Sequence, residues 1–120
     1  MPDELVAALS HSWTDPSTTC EENPHSISFS DDRLQLTLSY ARVTPHLLEP
    51  DPVAVYEVES ANAVSAHVRL RGENRLDEVG APVTWDIIVL SPDAYCWRRS
   101  DWPPHACTPA RARCGSDGLP

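Results

Sequence analysis

The chain has 120 residues, of which 41% are hydrophobic and 22% charged, so it suits one small domain with a single core and is not disordered throughout. Eighteen acidic residues against nine arginines and no lysine give a formal charge of −9. Phosphates would repel such a chain, so non-specific binding to nucleic acid or to an anionic membrane is not expected. Arginine as the sole basic residue type, with twelve prolines, indicates a GC-rich, bacterial coding sequence.

The ends and cysteines of the chain bear on its location. No apolar run approaches the roughly 20 residues of a transmembrane helix, and the first residues are acidic where a signal peptide is positive. We therefore expect a cytoplasmic protein, or an exported one if a signal was removed and the cysteines are paired. If they are paired, the first choice is Cys107 with Cys114 and Cys20 with Cys96; free thiols are the alternative.

The first predicted element is a helix over residues 2–11, with a proline and two acids in its first turn. Apolar residues recur every four positions and form one stripe: Leu5, Leu9 and Trp13. Residues 15–24 are rich in Ser, Thr, Asn and Pro, and are predicted to be a loop.

Alternating apolar and polar residues then predict six strands, joined mostly by short turns and therefore antiparallel. In the first hairpin, a two-residue turn pairs Phe29 with Leu34. In the second, a three-residue turn places Tyr56 opposite Val68. The strands share one apolar face, which must be covered, so the fold class is mainly β: a curled antiparallel meander of six or more strands, or a small barrel.

The third hairpin would place Gly72 opposite Trp85, an arrangement in which an aromatic ring covers a bend in the sheet. Residues 94–99 form the last predicted strand. We assign residues 1–100 to one barrel-like domain and residues 101–120, which contain proline and charge without periodicity, to a C-terminal tail.

The outer face of the last strands carries a predicted ion network. The third hairpin sets Arg71 opposite Asp86, and the final turn brings either Arg98 or Arg99 to the other side of that carboxylate. We interpret this Arg–Asp–Arg unit as structural, because exposed cross-strand ion pairs are common. The alternative is that the arginines hold a carboxylate or phosphate.

The helix and the strand pattern resemble those of small lipocalin-like (calycin-type) β-barrels. That family begins with a short helical turn and a Gly-x-Trp on the first strand, and an arginine near the last strand packs over the tryptophan. Trp13 follows the helix in the segment SHSWT, and Arg98 or Arg99 ends the last strand, whereas His11 replaces the glycine. The resemblance covers about residues 10–100 and implies a barrel that binds small apolar molecules; some such barrels are enzymes.

The leading functional hypothesis is therefore a ligand cavity inside the barrel, against the alternative that the same side chains fill a narrow core. The apolar face would line this cavity with Leu36, Leu38, Tyr40, Tyr56, Val68, Trp85, Ile87, Tyr95 and Trp97. Two polar side chains, His25 and Asn74, fall on the same face. Leu47 and Leu48, between prolines, would form a lid or an ordinary loop anchor.

Two other functions stay open. The outer face of the last strands carries Ile88, Leu90 and Cys96, an apolar set that suits a homodimer or protein-interaction module. A small barrel enzyme would instead need a histidine and a carboxylate within hydrogen-bond reach inside a cavity. The sequence contains no hydrolase, nucleotide-binding or metalloprotease motif, so we predict no cofactor and no metal.

Overall fold

The computed structural model describes residues 2–42 and 53–115, which form one closed antiparallel barrel. One helix and eight strands follow each other in the order α1 (Asp3–Leu9), β1 (Ser12–Thr14), β2 (His25–Phe29), β3 (Gln35–Tyr40), β4 (Val53–Ala61), β5 (Ser65–Leu70), β6 (Trp85–Ser91), β7 (Ala94–Arg99) and β8 (Arg111–Arg113). Each strand pairs with the next, and β8 pairs with β1. The predicted class, a mainly β curled meander or barrel with a short N-terminal helix, is confirmed.

The two strands beyond the six predicted ones, β1 and β8, close the barrel. Trp13 lies opposite Arg113, and Ala94 lies opposite Ala112. Closure leaves none of the strands in residues 2–42 and 53–115 as an edge strand that would have to be protected from other chains. Both strands have three residues, too few for an alternating pattern, and β8 lies within the range 101–120 that the sequence suggested was a tail.

The helix covers one end of the barrel. Leu5 and Leu9 are 0% exposed, and the indole Nε1 of Trp13 donates a hydrogen bond of 3.1 Å to the carbonyl oxygen of Leu9. That bond joins the end of α1 to β1 and keeps the indole inside the barrel. We call the opposite end, where β2, β4 and β6 begin and β3 and β5 end, the distal end.

The registers predicted for the first two hairpins are wrong by two residues, although the predicted inward faces are right apart from Leu34, which precedes β3 and is 58% exposed. Phe29 lies opposite Leu36 and not Leu34, and Tyr56 lies opposite Leu70. Side-chain direction alternates with a period of two, so a two-residue shift changes the partner but not the face. The first shift arises because the turn is longer than predicted and includes Arg33 in the left-handed region, with φ 60°.

The third hairpin also differs from the prediction. Trp85 lies opposite Val68, and Gly72, with φ 86°, lies beyond the end of β5. The glycine therefore takes part in a turn and is not covered by a cross-strand aromatic ring. The connection between β5 and β6 consequently starts at the distal end, immediately after Leu70.

All four cysteines are paired, but the predicted pairing is wrong. Disulfides join Cys20 to Cys114 and Cys96 to Cys107, with Cα–Cα distances of 5.8 and 6.1 Å. After β7 the chain turns back along that strand, and the backbone of Thr108 bonds to that of Trp97, which brings Cys107 beside Cys96. Cys114 follows β8 and therefore lies beside β1, within reach of the connection between β1 and β2.

Candidate functional site at the distal end of the barrel

Most of the predicted cavity residues point into the barrel. Eight of them are at most 8% exposed, namely His25, Leu36, Leu38, Tyr40, Val68, Ile87, Tyr95 and Trp97. Tyr56 and Trp85 are half-buried and pack against this core. Asn74 is exposed in the connection between β5 and β6, so its assignment to the apolar face is wrong. Leu47 and Leu48 lie outside the described residues.

Aromatic rings fill the barrel from α1 towards the distal end. Trp13 and Tyr95 meet edge to face at 4.8 Å, Tyr95 and Trp97 at 6.2 Å, and the rings of Trp97 and Tyr56 stack at 5.0 Å. These are the spacings of well-packed aromatic pairs. At the distal end, Tyr56 and Trp85 are half-buried rather than buried.

A group of polar side chains, which we call the Asp15 cluster, is buried beside these rings: Asp15, His25, Tyr95 and Arg111. The imidazole Nε2 of His25 lies 2.5 Å from the hydroxyl of Tyr95. The Oδ1 of Asp15 lies 3.8 Å from the Nδ1 of His25 and 3.3 Å from the Nε of Arg111. Asp15 and His25 are 3% and 1% exposed, and Tyr95 is 0% exposed.

The backbone explains why these side chains meet. Asp15 directly follows β1, and His25 is the first residue of β2. Arg111 lies opposite Tyr95 across β7 and β8, and directly opposed residues share one face of a sheet, so both side chains point inward. Of the four, only His25 and Tyr95 were predicted site residues. Asp15 and Arg111 lie in segments without alternation, and no sequence pattern identifies them.

Burial keeps the phenols at this end neutral. It raises the pKa of Tyr95 well above the usual value, and burial together with the negative charge of Asp15 raises the pKa of Tyr40. A neutral Tyr95 can donate its proton to the Nε2 of His25, which leaves the imidazole proton on Nδ1, on the side of Asp15. The 3.8 Å separation between that nitrogen and the carboxylate exceeds hydrogen-bond length, so this is not an assembled acid–base pair.

A second polar unit, the Glu73–Arg75 pair, lies in the connection between β5 and β6. The guanidinium of Arg75 makes two hydrogen bonds of 2.7 and 2.8 Å to the carboxylate of Glu73, and the indole of Trp85 donates a third of 3.2 Å. Burial would raise the pKa of Glu73, but the hydrogen bonds from Arg75 and Trp85 outweigh it and lower that pKa. Trp102 packs edge to face on Trp85, with ring centres 5.9 Å apart.

An ion network around Asp86 is present on the outer face, but its residues differ from the predicted ones. Arg98 lies opposite Asp86, and its Nη1 is 3.1 Å from the Oδ2 of that carboxylate. Arg71 and Arg99 form ion pairs elsewhere. His67 takes the predicted place of Arg71, with Nδ1 2.9 Å from the Oδ1 of Asp86, because the register of β5 and β6 differs from the predicted one.

This outer-face group lacks the geometry of a catalytic relay. The hydroxyl of Ser100 lies 3.4 Å from the Nδ1 of His67, the same nitrogen that faces Asp86. A serine nucleophile needs its base to contact serine and carboxylate through opposite ring nitrogens. The Nε2 of His67 instead faces Glu59 at 3.5 Å.

The predicted apolar outer patch is partly covered. Cys96 is 0% exposed, because its disulfide holds the segment after β7 over it. Ile88 is half-buried, whereas Leu90 and Val64 are each 55% exposed. The last two border an open groove of about 500 Å³ between α1 and the turn after β6.

Residues 2–42 and 53–115 contain no group of three or more side chains placed to hold a metal ion. Within the same ranges, no helix has the length and apolar character needed to cross a bilayer.

No protein-family model matches the chain, and no curated protein or solved structure is significantly similar to it. Function is therefore inferred from the geometry of the barrel.

Proposed function

We propose that the protein is a lipocalin-like binding protein that holds a small apolar or amphipathic ligand at the distal end of its barrel. The observation that supports this is the Asp15 cluster, a set of ionisable side chains buried beside aromatic rings. Apolar replacement of a buried ion pair is often neutral or stabilising by about 1–4 kcal/mol, so folding alone does not require the cluster. A few placed polar groups in an aromatic wall are typical of small-molecule sites.

The pairing of β1 with β8 supports the lipocalin-like assignment. Trp13 follows α1 and lies directly opposite Arg113, on the strand that closes the barrel. The two side chains therefore share the inward face. In this interpretation Arg113, and not Arg98 or Arg99, takes the place of the arginine that accompanies the tryptophan in that family.

Both disulfides support an exported location for this binding protein. Paired cysteines persist in oxidising compartments, whereas cytosolic thiols normally stay reduced. Cys20 and Cys114 hold the connection that carries Asp15 to the end of β8. Cys96 and Cys107 hold the segment that includes Trp102 against β7.

Titration with phenylnaphthylamine, a neutral dye that fluoresces in apolar surroundings, tests the proposal. We expect saturable one-to-one binding by the full disulfide-bonded chain. Tyr56→Ala should weaken binding by about tenfold, because a fully contacted aromatic side chain contributes roughly 1.5–3 kcal/mol. Leu90→Ala, in the outer groove, is the control and should leave binding unchanged. Absence of saturable binding, or weakening by Leu90→Ala alone, would refute the site.

A second candidate is a homodimer or protein-interaction module, favoured by the exposed side chains of Val64 and Leu90 beside the α1 groove. A charged residue in that patch would disrupt an apolar interface. If the chain sediments as a dimer and Leu90→Asp makes it a monomer, this second function is supported. A monomer at all concentrations rejects the homodimer.

A further inference from the structure

The α1 groove, between α1 and the turn that joins β6 to β7, lies at the end of the barrel opposite the proposed ligand site. Ala7 and Ala8 line it from the helix, and Val64 and Leu90 line it from the ends of the strands. Val64 and Leu90 are each 55% exposed, and Ala7 is exposed as well. Because exposed apolar surface rimmed by polar residues marks interaction sites in soluble proteins, this groove suits contact with another molecule.

Two side chains of opposite charge line the same groove, Glu4 on α1 and Arg113 on β8. Neither forms an ion pair with the other, or with any other residue in the ranges 2–42 and 53–115. Asp3, which precedes Glu4 in the chain, by contrast pairs with Arg33. Arg113 is half-buried, so a carboxylate that reaches it is attracted more strongly than at a fully exposed site. The groove therefore offers one anion and one cation within a single apolar surface.

The occupant that matches both charges is a second copy of this chain. A partner segment with a single charge would gain one favourable contact and meet a like charge at the other. In a two-fold symmetric dimer each surface meets itself, so residue i of one copy contacts residue j of the other, and j contacts i. This symmetry brings Glu4 to the partner's Arg113 and Arg113 to the partner's Glu4. The small side chains of Ala7 and Ala8 leave space beside α1 for the partner's Leu90.

We propose that the α1 groove is one half of a two-fold symmetric homodimer interface, in which Glu4 of each copy pairs with Arg113 of the other. Val64 and Leu90 supply the apolar contact, and the two ion pairs fix how the copies are oriented. This inference rests on the second candidate function and names the surface and the contacts that the dimer uses. The groove and the distal end lie at opposite ends of the barrel, so dimerisation leaves the proposed ligand site open.

Sedimentation equilibrium of the full disulfide-bonded chain, without added ligand, measures the dissociation constant of the dimer. Glu4→Arg places a cation against the partner's Arg113 at both ends of the interface. A surface ion pair contributes up to about fivefold in affinity. The change removes two such pairs and adds two like-charge contacts, so we expect dimerisation to weaken by about twentyfold or more. Because the chain carries a formal charge of −9, a non-specific effect of added positive charge would strengthen dimerisation instead.

A control variant and a complementary variant locate the contact. Glu78→Arg makes the same change of charge at an exposed residue that does not line the groove, so its dimer should be at least as tight as that of the unaltered chain. Arg113→Glu brings two carboxylates together and should weaken dimerisation as Glu4→Arg does. In an equimolar mixture of the two, one chain presents two cations and the other two anions. Native mass spectrometry should therefore show that the mixture forms heterodimers, although each variant alone is a monomer.

Each result decides between this inference and the functions already proposed. A dimer that Glu4→Arg weakens no more than Glu78→Arg does, or a mixture that does not recover dimers, overturns the pairing and leaves the second candidate function intact. A monomer at all concentrations overturns both, whereas dye binding at the distal end tests the leading function separately. If circular dichroism shows that Arg113→Glu does not fold, the comparison of Glu4→Arg with Glu78→Arg decides, because both of those side chains are exposed.

Discussion

Replacing Tyr95 with phenylalanine removes one hydroxyl group from the middle of the barrel and leaves the ring in place. The ring contacts with Trp13 and Trp97 remain, so the loss comes from the hydrogen bond to His25. Both partners are buried, and an unsatisfied buried acceptor costs about 1–3 kcal/mol. The 2.5 Å separation favours the upper half of that range, so we expect Tyr95→Phe to lower the free energy of unfolding by about 2 kcal/mol.

Urea denaturation of the disulfide-bonded protein measures this loss. With a slope of about 2 kcal/mol per M, the midpoint should fall by about 1 M while the slope stays the same. Tyr56→Phe is the matched control. The hydroxyl of Tyr56 has no hydrogen-bond partner among residues 2–42 and 53–115, so the free energy of unfolding should change by less than about 0.5 kcal/mol. Adding His25→Leu to Tyr95→Phe should cost about 1 kcal/mol less than the sum of the two single changes. Equal stability of Tyr95→Phe and Tyr56→Phe would refute the role assigned to this bond.

Two further predictions concern pH and the disulfides. The folded pKa of all three tyrosines is raised, so their contribution to stability is complete below the unfolded value of 10.0 and is lost as pH rises above it. The measured free energy of unfolding should fall steeply as pH rises above 10.0. A free energy of unfolding that does not change with pH in this range would contradict the burial of the three tyrosine hydroxyls. Replacing Cys20 and Cys114 by serine should cost about 5 kcal/mol, and replacing Cys96 and Cys107 about 3 kcal/mol, because the first pair closes the longer loop. Thermal unfolding of the two double variants checks the order, and the reverse order would exclude loop closure as the main effect.

The inward face of the barrel could be predicted because alternation reports it directly. In β3, Leu36, Leu38 and Tyr40 alternate with polar residues, and all three are buried. The prediction survived the wrong hairpin registers, because an error of two residues preserves the face. The pairing of Asp86 with Arg98 was likewise predicted among alternatives.

Partners that are distant in the chain could not be predicted. Two such contacts are the disulfide pairing and the hydrogen bond of Asp86 to His67, where Arg71 was predicted. Both depend on turn lengths and on how a distant part of the chain folds back onto the barrel. The pattern of apolar residues does not report the local backbone conformations that set the length of a turn. The left-handed backbone of Arg33 is one such conformation.

The sequence by itself determined the class of the protein, a curled antiparallel sheet with one aromatic-rich inner face and a helix at its start. Only the tertiary structure decided that β1 and β8 close the sheet, and that closure assembles the candidate site. Asp15 follows one of these short strands and Arg111 begins the other, so neither had a periodic neighbour to mark it. Arg111 meets Asp15 only because β8 pairs with β1 and closes the barrel, and contacts made by closure depend on the whole set of strand registers and not on any local segment.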